Sequence, residues 1–195
     1  MKKLLLIPVV FFIINCQSQE MKLPYHQIPE APKEYTAGNI LGRLLDGLGY
    51  RYHWATKNLN ETDLAYKTTD KGRNILQTLE HIYGMSKTIL KSPKGEPNIR
   101  PKEPNNYSYE ELRKKTLENI KLASEIVKGK SASEITNYKI TYLRNEKQTD
   151  FPYWNLINGM ISDCIYHTGQ IVLMRRTNGN PINPKVDVFL GKNRE

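Results

Sequence analysis

Apolar side chains recur at intervals of three and four in four separate stretches of the chain, the period of helices that bury one face. The first stretch covers about residues 37–59 and places Ile40, Leu44, Leu48, Tyr52 and Ala55 on one line. A polar segment, 60–72, interrupts the pattern. The second stretch starts near Arg73, aligns Ile75, Leu79, Ile82 and Ile89, and is expected to end before Pro93. Pro93, Pro97, Pro101 and Pro104 then predict an extended loop. Ser108 and Glu111 form a Ser-x-x-Glu capping box, in which each side chain satisfies a backbone donor of the other's residue, and Leu112, Leu117, Ile120, Ala123 and Ile126 follow before Gly129. Between Tyr138 and Trp154 the pattern changes to Ile140, Tyr142 and Phe151 around the polar Asn145, Glu146 and Lys147, which predicts a short β-hairpin. A fourth helix is expected over about 153–178, ended by Gly179, Asn180 and Pro181. Four long helices with unequal connections predict an all-α fold, a four-helix bundle with at least one crossover and a short hairpin before the last helix.

The first residues stand apart from this pattern. Lys2 and Lys3 precede an apolar run over residues 4–14, long enough for the core of a signal peptide and too short to span a membrane. Cys16 follows at once. Basic start, apolar run and cysteine together resemble the bacterial lipoprotein signal, with Asn15 in place of the usual small residue before the cysteine. That resemblance implies a signal peptide over 1–15, lipidation at Cys16, and an exported lipoprotein anchored in the membrane and facing the periplasm or the exterior. Residues 16–35 are polar and carry Pro24, Pro29 and Pro32, so they are expected to tether the anchor to a helical domain over 36–195.

Export would place the chain where paired cysteines oxidise, yet only Cys164 remains once Cys16 is lipidated. An internal disulfide is then excluded, and packing must hold the fold. The 29 Lys and Arg outnumber the 20 Asp and Glu, giving a net charge of +9. The excess is spread over Lys87, Lys91, Lys94, Arg100, Lys102, Arg113, Lys114 and Lys115 without the aromatic interleaving of a nucleic-acid platform, so no nucleic-acid partner is expected. A tethered basic domain would lean towards anionic headgroups, or the charge serves solubility alone.

Residues 158–183 carry the candidate chemistry. Asp163 and His167 stand four residues apart, which puts both on one face of a helix, one turn apart, and Gln170 extends the line. Leu156, Met160 and Met174 continue it at either end, so a polar trio interrupts an apolar stripe. An imidazole and a carboxylate at this spacing can chelate a divalent metal, or they can satisfy one another by a hydrogen bond. Both readings stay open. A metal needs a third ligand from another helix. His81, in the middle of the second helix, is the first candidate, His53 beside Trp54 is the reserve, and His26 falls in the tether. Cys164 could be a thiolate ligand or an inert small hydrophobe. Gly159 and Gly169 would allow close approach of a neighbouring helix, and Arg175 and Arg176 could receive an anionic substrate or complement the helix dipole.

His81 in a Leu-x-His-Ile context, followed far downstream by Asn158-Gly159, Asp163, His167-x-Gly169-Gln170-Ile171, Arg175-Arg176 and Gly179-Asn180-Pro181, resembles the DinB/YfiT-like family, whose members are treated as metalloenzymes. The likeness runs over about residues 37–182. It implies a four-helix bundle of DinB/YfiT type in which a histidine of the second helix and an H-x-x-x-H pair on the last hold a divalent metal. Carried onto this chain the ligands are His81, Asp163 and His167, with Asp163 in the place of the first histidine of the pair, and Gln170 and Cys164 behind them. A carboxylate hardens the donor set and leaves zinc, nickel, iron and manganese all open. The resemblance also implies metal-dependent transfer to or from a low-molecular-weight thiol, or metal-assisted hydrolysis, on a small-molecule substrate. A lipid-anchored metal-binding or ligand-binding protein without turnover is the alternative, and assembly as a homodimer stays open.

Overall fold

The computed structural model describes residues 23–104 and 106–195. The expected signal peptide, the lipidation candidate Cys16 and the first part of the tether lie outside the described residues. The chain is mainly helical. Four long helices are α1 (Ala37–Ala55), α3 (Ile75–Lys94), α4 (Tyr109–Val127) and α6 (Ser162–Thr177), and two short ones are α2 (Glu61–Ala65) and α5 (Ala132–Thr136). α1 packs on α4 and α6, and α3 packs on α4 and α6, so the long helices close a ring around one core. Leu45, Leu48 and Tyr52 of α1, Leu79, Ile82 and Ile89 of α3, Leu117 and Ile120 of α4 and Ile171 of α6 are wholly buried there. No helix among the described residues is long and apolar enough to cross a membrane.

Local chemistry sets the helix ends. Ser108 accepts from the backbone N–H of Glu111 while Glu111 accepts from that of Ser108, as the sequence pattern predicts. The same reciprocal pair forms between Asn74 and Gln77 ahead of α3, Asn60 and Asp63 ahead of α2, and Ser131 and Glu134 ahead of α5. α3 runs through Pro93 rather than stopping before it, and Gly95, at φ +69°, ends it in the left-handed region that glycine tolerates. The buried line of α1 is Leu41, Leu45 and Leu48; Ile40 and Leu44, expected inside, are 57 % and 38 % exposed. The proline-bearing loop holds a short strand, β1 (Asn98–Arg100), parallel to β2 (Lys139–Arg144). The expected hairpin is β2 against β3 (Lys147–Pro152), turning through Asn145 and Glu146, both at positive φ as a two-residue hairpin turn requires. Two further short strands, β4 (Val186–Asp187) and β5 (Lys192–Asn193), pair near the C-terminus.

The expected tether is folded onto the helices over its described part. Tyr25 is buried, its ring filling the space over Gly49, where a Cβ would sit 2.3 Å from Tyr25 Cδ2. Its hydroxyl donates to Asp46, a buried carboxylate that also accepts from Ser124 and pairs with Lys128 at 2.8 Å. The Pro24 carbonyl lies 2.7 Å from His53 Nδ1, the His26 carbonyl accepts from Trp54, and the backbone N–H of Ile28 donates to Gly191. Prolines keep this segment out of helix without keeping it off the surface. A tyrosine facing a glycine supplies the apolar contact that a free tether lacks.

Burial pushes the His53 imidazole down to about 4, with Arg113, His26 and Lys57 adding to the effect and the Pro24 carbonyl opposing it. Between that value and the ordinary histidine pKa the unfolded chain binds a proton that the folded chain does not, so stability falls as pH drops through this window. The loss is on the order of 2 kcal/mol once solvent screening is allowed for. Urea unfolding of metal-free wild type and His53→Gln should show their stability gap shrinking by that amount between about pH 7 and about pH 4.5. A gap independent of pH would show that His53 is not held neutral.

Candidate metal centre

α3 and α6 meet along their polar margins. His81 stands on α3 between Leu79 and Ile82, which are buried, so its ring emerges at the border of the core. Asp163 and His167 stand one turn apart on α6. His81 Nε2 lies 3.5 Å from Asp163 Oδ2, and His167 Nε2 lies 3.5 Å from Asp163 Oδ1. The two imidazole rings meet edge to face with centroids 4.7 Å apart. One donor atom from each residue falls within 4.8 Å of the other two, the only such group of three among the described residues.

These separations bear on the two readings of the pair. A charge-assisted hydrogen bond between imidazole and carboxylate would draw the atoms to about 2.7–2.9 Å. Tetrahedral ligands at about 2.0–2.1 Å from one ion are instead spaced by about 3.4 Å. The observed 3.5 Å matches the edge of a coordination polyhedron better than a hydrogen bond. His167 Nδ1 lies 2.6 Å from Gln170 Oε1, and since an amide oxygen only accepts, that nitrogen carries the proton. The lone pair is then on Nε2, facing Asp163 and His81. A ligand imidazole whose other nitrogen donates to a fixed acceptor is the usual outer-shell arrangement at metal sites. The donor set therefore fits a divalent ion.

A π-helical turn, Leu156–Ile161, leads into α6, and Ser162 Oγ donates to the Ile157 carbonyl across it. The wider turn changes the phase of the helix, so Leu156 and Met160 do not continue the line of Asp163 and His167 as a uniform α-helix would make them. Leu156 is buried in the core whereas Asp163 is half-exposed. The buried residues of α6 are Cys164, His167, Thr168, Ile171, Met174 and Arg175, so of the polar trio His167 belongs to the inward face while Asp163 and Gln170 lie at its margin. Side-chain exposures of 31 % for His81, 44 % for Asp163 and 11 % for His167 leave the group open to a small molecule from one side.

Burial lowers the pKa of His81, with the charges of Arg73 and His167 acting in the same direction and Asp163 opposing them. Its nitrogen is accordingly neutral, the ligating state, at neutral pH. Two clefts flank the group. One of about 510 Å³ is lined by Lys71, Gly72, Arg73, Gln77, Glu80 and His81, and one of about 250 Å³ runs past Gly72, Arg73, Thr78, His167 and Gln170. Sequence reading missed Arg73 and Glu80, since neither falls on an apolar or polar period.

Other candidates fall elsewhere. Cys164 is wholly buried among core side chains, where burial drives its thiol pKa far up, so it is an inert packing residue and not a ligand or nucleophile. His53 and His26 meet edge to face, both tilted against Trp54, and do not join the cluster. Gly159 and Gly169 face open space, and the close helix contact is made at Gly38, where a Cβ would lie 2.0 Å from the Val127 carbonyl oxygen. Arg175 is buried and unavailable to substrate: it donates to the Trp54, Ala55 and Lys57 carbonyls at the end of α1. Asn178 and Asn180 donate to Asp63, so the tail motif after α6 ties α2 to the helix ends. Of these candidates, Gln170 alone among the described residues hydrogen-bonds a ligand side chain.

No curated protein and no solved structure matched the chain at significance. A family model described as the DinB family matched residues 51–190. The match takes in α3, α6 and all three clustered residues, and it covers more than half of the sequence. With the helical fold and this extent of agreement, the chain belongs to the DinB family.

Proposed function

We propose that the chain is a divalent-metal-dependent enzyme acting on a small molecule, with His81, Asp163 and His167 as the metal ligands and thiol-dependent group transfer as the reaction. One observation carries the reading: His81, Asp163 and His167, from two helices, bring one donor atom each within 4.8 Å of one another, with each imidazole 3.5 Å from an oxygen of Asp163 and the group open to solvent. A divalent ion held by three protein ligands supplies Lewis acidity at its remaining position, towards a thiol or a water. Gln170 fixes the His167 ring by accepting from Nδ1–H, and Asp163 offers one oxygen to each imidazole side. Glu80 is the carboxylate that lines the larger cleft beside His81, within the same opening. It favours metal-assisted hydrolysis as the second reading, because a proton acceptor beside the ion is what a water nucleophile needs and a thiol does not. We read the ring of long helices as a DinB-type four-helix bundle that positions this site.

The test is metal content of the protein reconstituted with zinc, nickel, iron and manganese, followed by transfer assays with low-molecular-weight thiols and by hydrolase assays. Stoichiometric metal with thiol-dependent turnover supports the proposal. Stoichiometric metal without either activity leaves a metal-binding protein, and no metal in any reconstitution removes the enzyme reading.

Attachment to a membrane is a separate proposal resting on the leader alone. Lys2, Lys3, the apolar run 4–14 and Cys16 support lipidation and export, with the domain anchored to a bacterial membrane and facing the periplasm or the exterior. Cys16→Ser should move the protein from the membrane fraction to the soluble fraction. Retention of the variant in membranes would count against lipid anchoring.

A further inference from the structure

Arg73 is placed where the fold gives it nothing to do. It immediately precedes Asn74, the cap of α3, and a cation at a helix N-terminus opposes the helix dipole. Carboxylates nearby are engaged elsewhere: Asp70 pairs with Lys67, and Asp163 faces the two imidazoles. Among the described residues Arg73 has no ion-pair partner. It does line both clefts that flank the clustered ligands, the larger beside His81 and the smaller beside His167, and Lys71 lines the larger with it. Glu80 is the one carboxylate on the wall of that larger cleft, and it makes no ion pair with either cation. A guanidinium presents a planar fork of donors suited to a carboxylate, sulfonate or phosphate.

Resting on the metal reading above, we infer that Arg73, assisted by Lys71, is the specificity residue of the site and receives an anionic group carried by the small molecule that reaches the ligands. Arg73 lines the openings beside both His81 and His167, and Lys71 the one beside His81, so one molecule can place its reactive end at the metal and its anionic end on Arg73. Such a molecule is compact, with its anionic group a few bonds from the reacting atom. Arg73 acts by positioning and makes no bond in the reaction. Neutral molecules of the same length lose this contact, and cationic ones are repelled.

The experiment uses the full chain loaded with cobalt(II), whose thiolate charge-transfer absorption reports binding without any need for turnover. 2-Mercaptoethanesulfonate and 2-mercaptoethanol have the same thiol reach and differ in the anionic group. The wild type should bind the sulfonate about tenfold more tightly, the scale of one charge-assisted hydrogen bond. Arg73→Gln should bring the two thiols within about twofold while keeping the cobalt spectrum. Arg144→Gln, which removes the same charge from the exposed hairpin, should keep the preference. An unchanged preference in Arg73→Gln, or an equal loss in Arg144→Gln, overturns the inference and leaves the metal site standing. A chain that takes up no cobalt overturns both.

Discussion

His167→Ala should reduce divalent-metal affinity by more than about a hundredfold and remove any metal-dependent activity, while the metal-free protein unfolds at nearly the wild-type denaturant concentration. The size follows from the two roles met in one ring. Loss of an outer-shell partner alone costs about 10–100-fold in affinity, so loss of the ligand it orients must exceed the upper end of that range. Gln170→Ala, which removes only the acceptor for Nδ1–H at 2.6 Å, should fall inside it. The fold should survive, because the other buried side chains of α6, Cys164, Thr168, Ile171, Met174 and Arg175, are unchanged when the His167 ring is removed. Metal analysis and urea unfolding on the same two variants check both halves. Unfolding of His167→Ala in the absence of metal would instead identify the polar trio as a structural hydrogen-bond network.

The same site carries a sign in pH. Imidazoles ligate only as neutral groups, so protons compete with the metal and occupancy falls on acidification. For His81 the competition is weakened, since burial and the neighbouring Arg73 lower its pKa and keep its nitrogen free below the usual histidine range. Arg73→Gln removes one of these influences and should make occupancy more acid-sensitive. This is a second consequence of the arginine, independent of whether it receives an anion.

How much of this could be read beforehand depended on how local each determinant is. The long helices were legible because burial of one face leaves a period in the sequence, and Ile75, Leu79, Ile82 and Ile89 of α3 all lie inside as that period requires. α2 and α5 were not, since five residues are too few to show a period, although Asn60 with Asp63 and Ser131 with Glu134 repeat the capping pattern recognised at Ser108. Of the line expected on α1, Leu48, Tyr52 and Ala55 are buried, while Ile40 and Leu44 are exposed and Leu41 and Leu45 take their place, because the exposed side of the first turns is also apolar. The three clustered residues were named from the i, i+4 spacing and the family likeness, and their proximity is what the structure adds. Spacing could not report the π-helical turn, which depends on how α6 is held against its neighbours, nor the docking of Tyr25 over Gly49, a contact between distant parts of the chain. Arg175, which its place in the sequence offered to a substrate, is buried under the end of α1 for the same reason. Arg175 and Arg176 stand beside the candidate site in the sequence, whereas the arginine that lines the clefts in space is Arg73, ahead of another helix.

Arg175→Met should destabilise the fold by about 3–5 kcal/mol, the largest effect expected of any single change outside the apolar core. Its guanidinium is almost wholly buried and donates to five acceptors: the Trp54, Ala55 and Lys57 carbonyls, the Asn180 carbonyl and the Asn180 side chain. Trp54 and Ala55 are the last two residues of α1 and Lys57 follows its cap, and the last turn of a helix has no backbone donors left for its carbonyls. A cation there also complements the negative end of the helix dipole. Burial pulls the pKa of Arg175 down, and Asp63 and Tyr109 oppose this, which keeps the group charged inside the fold. Methionine restores the volume and none of the donors, so several buried carbonyls lose their partners at once. For a domain of this size the loss corresponds to a fall of about 10 °C in Tm. Arg175→Lys should recover only part of it, because an ammonium cannot span acceptors on both sides as a planar fork does. Arg176 is the internal control: it is the next residue, it is exposed, and Arg176→Gln should change stability by less than about 0.5 kcal/mol. Thermal and urea unfolding of the three variants decide the matter. If Arg175→Met costs no more than Arg176→Gln, the carbonyls at the end of α1 are satisfied by solvent and the cap is not what joins α6 to α1.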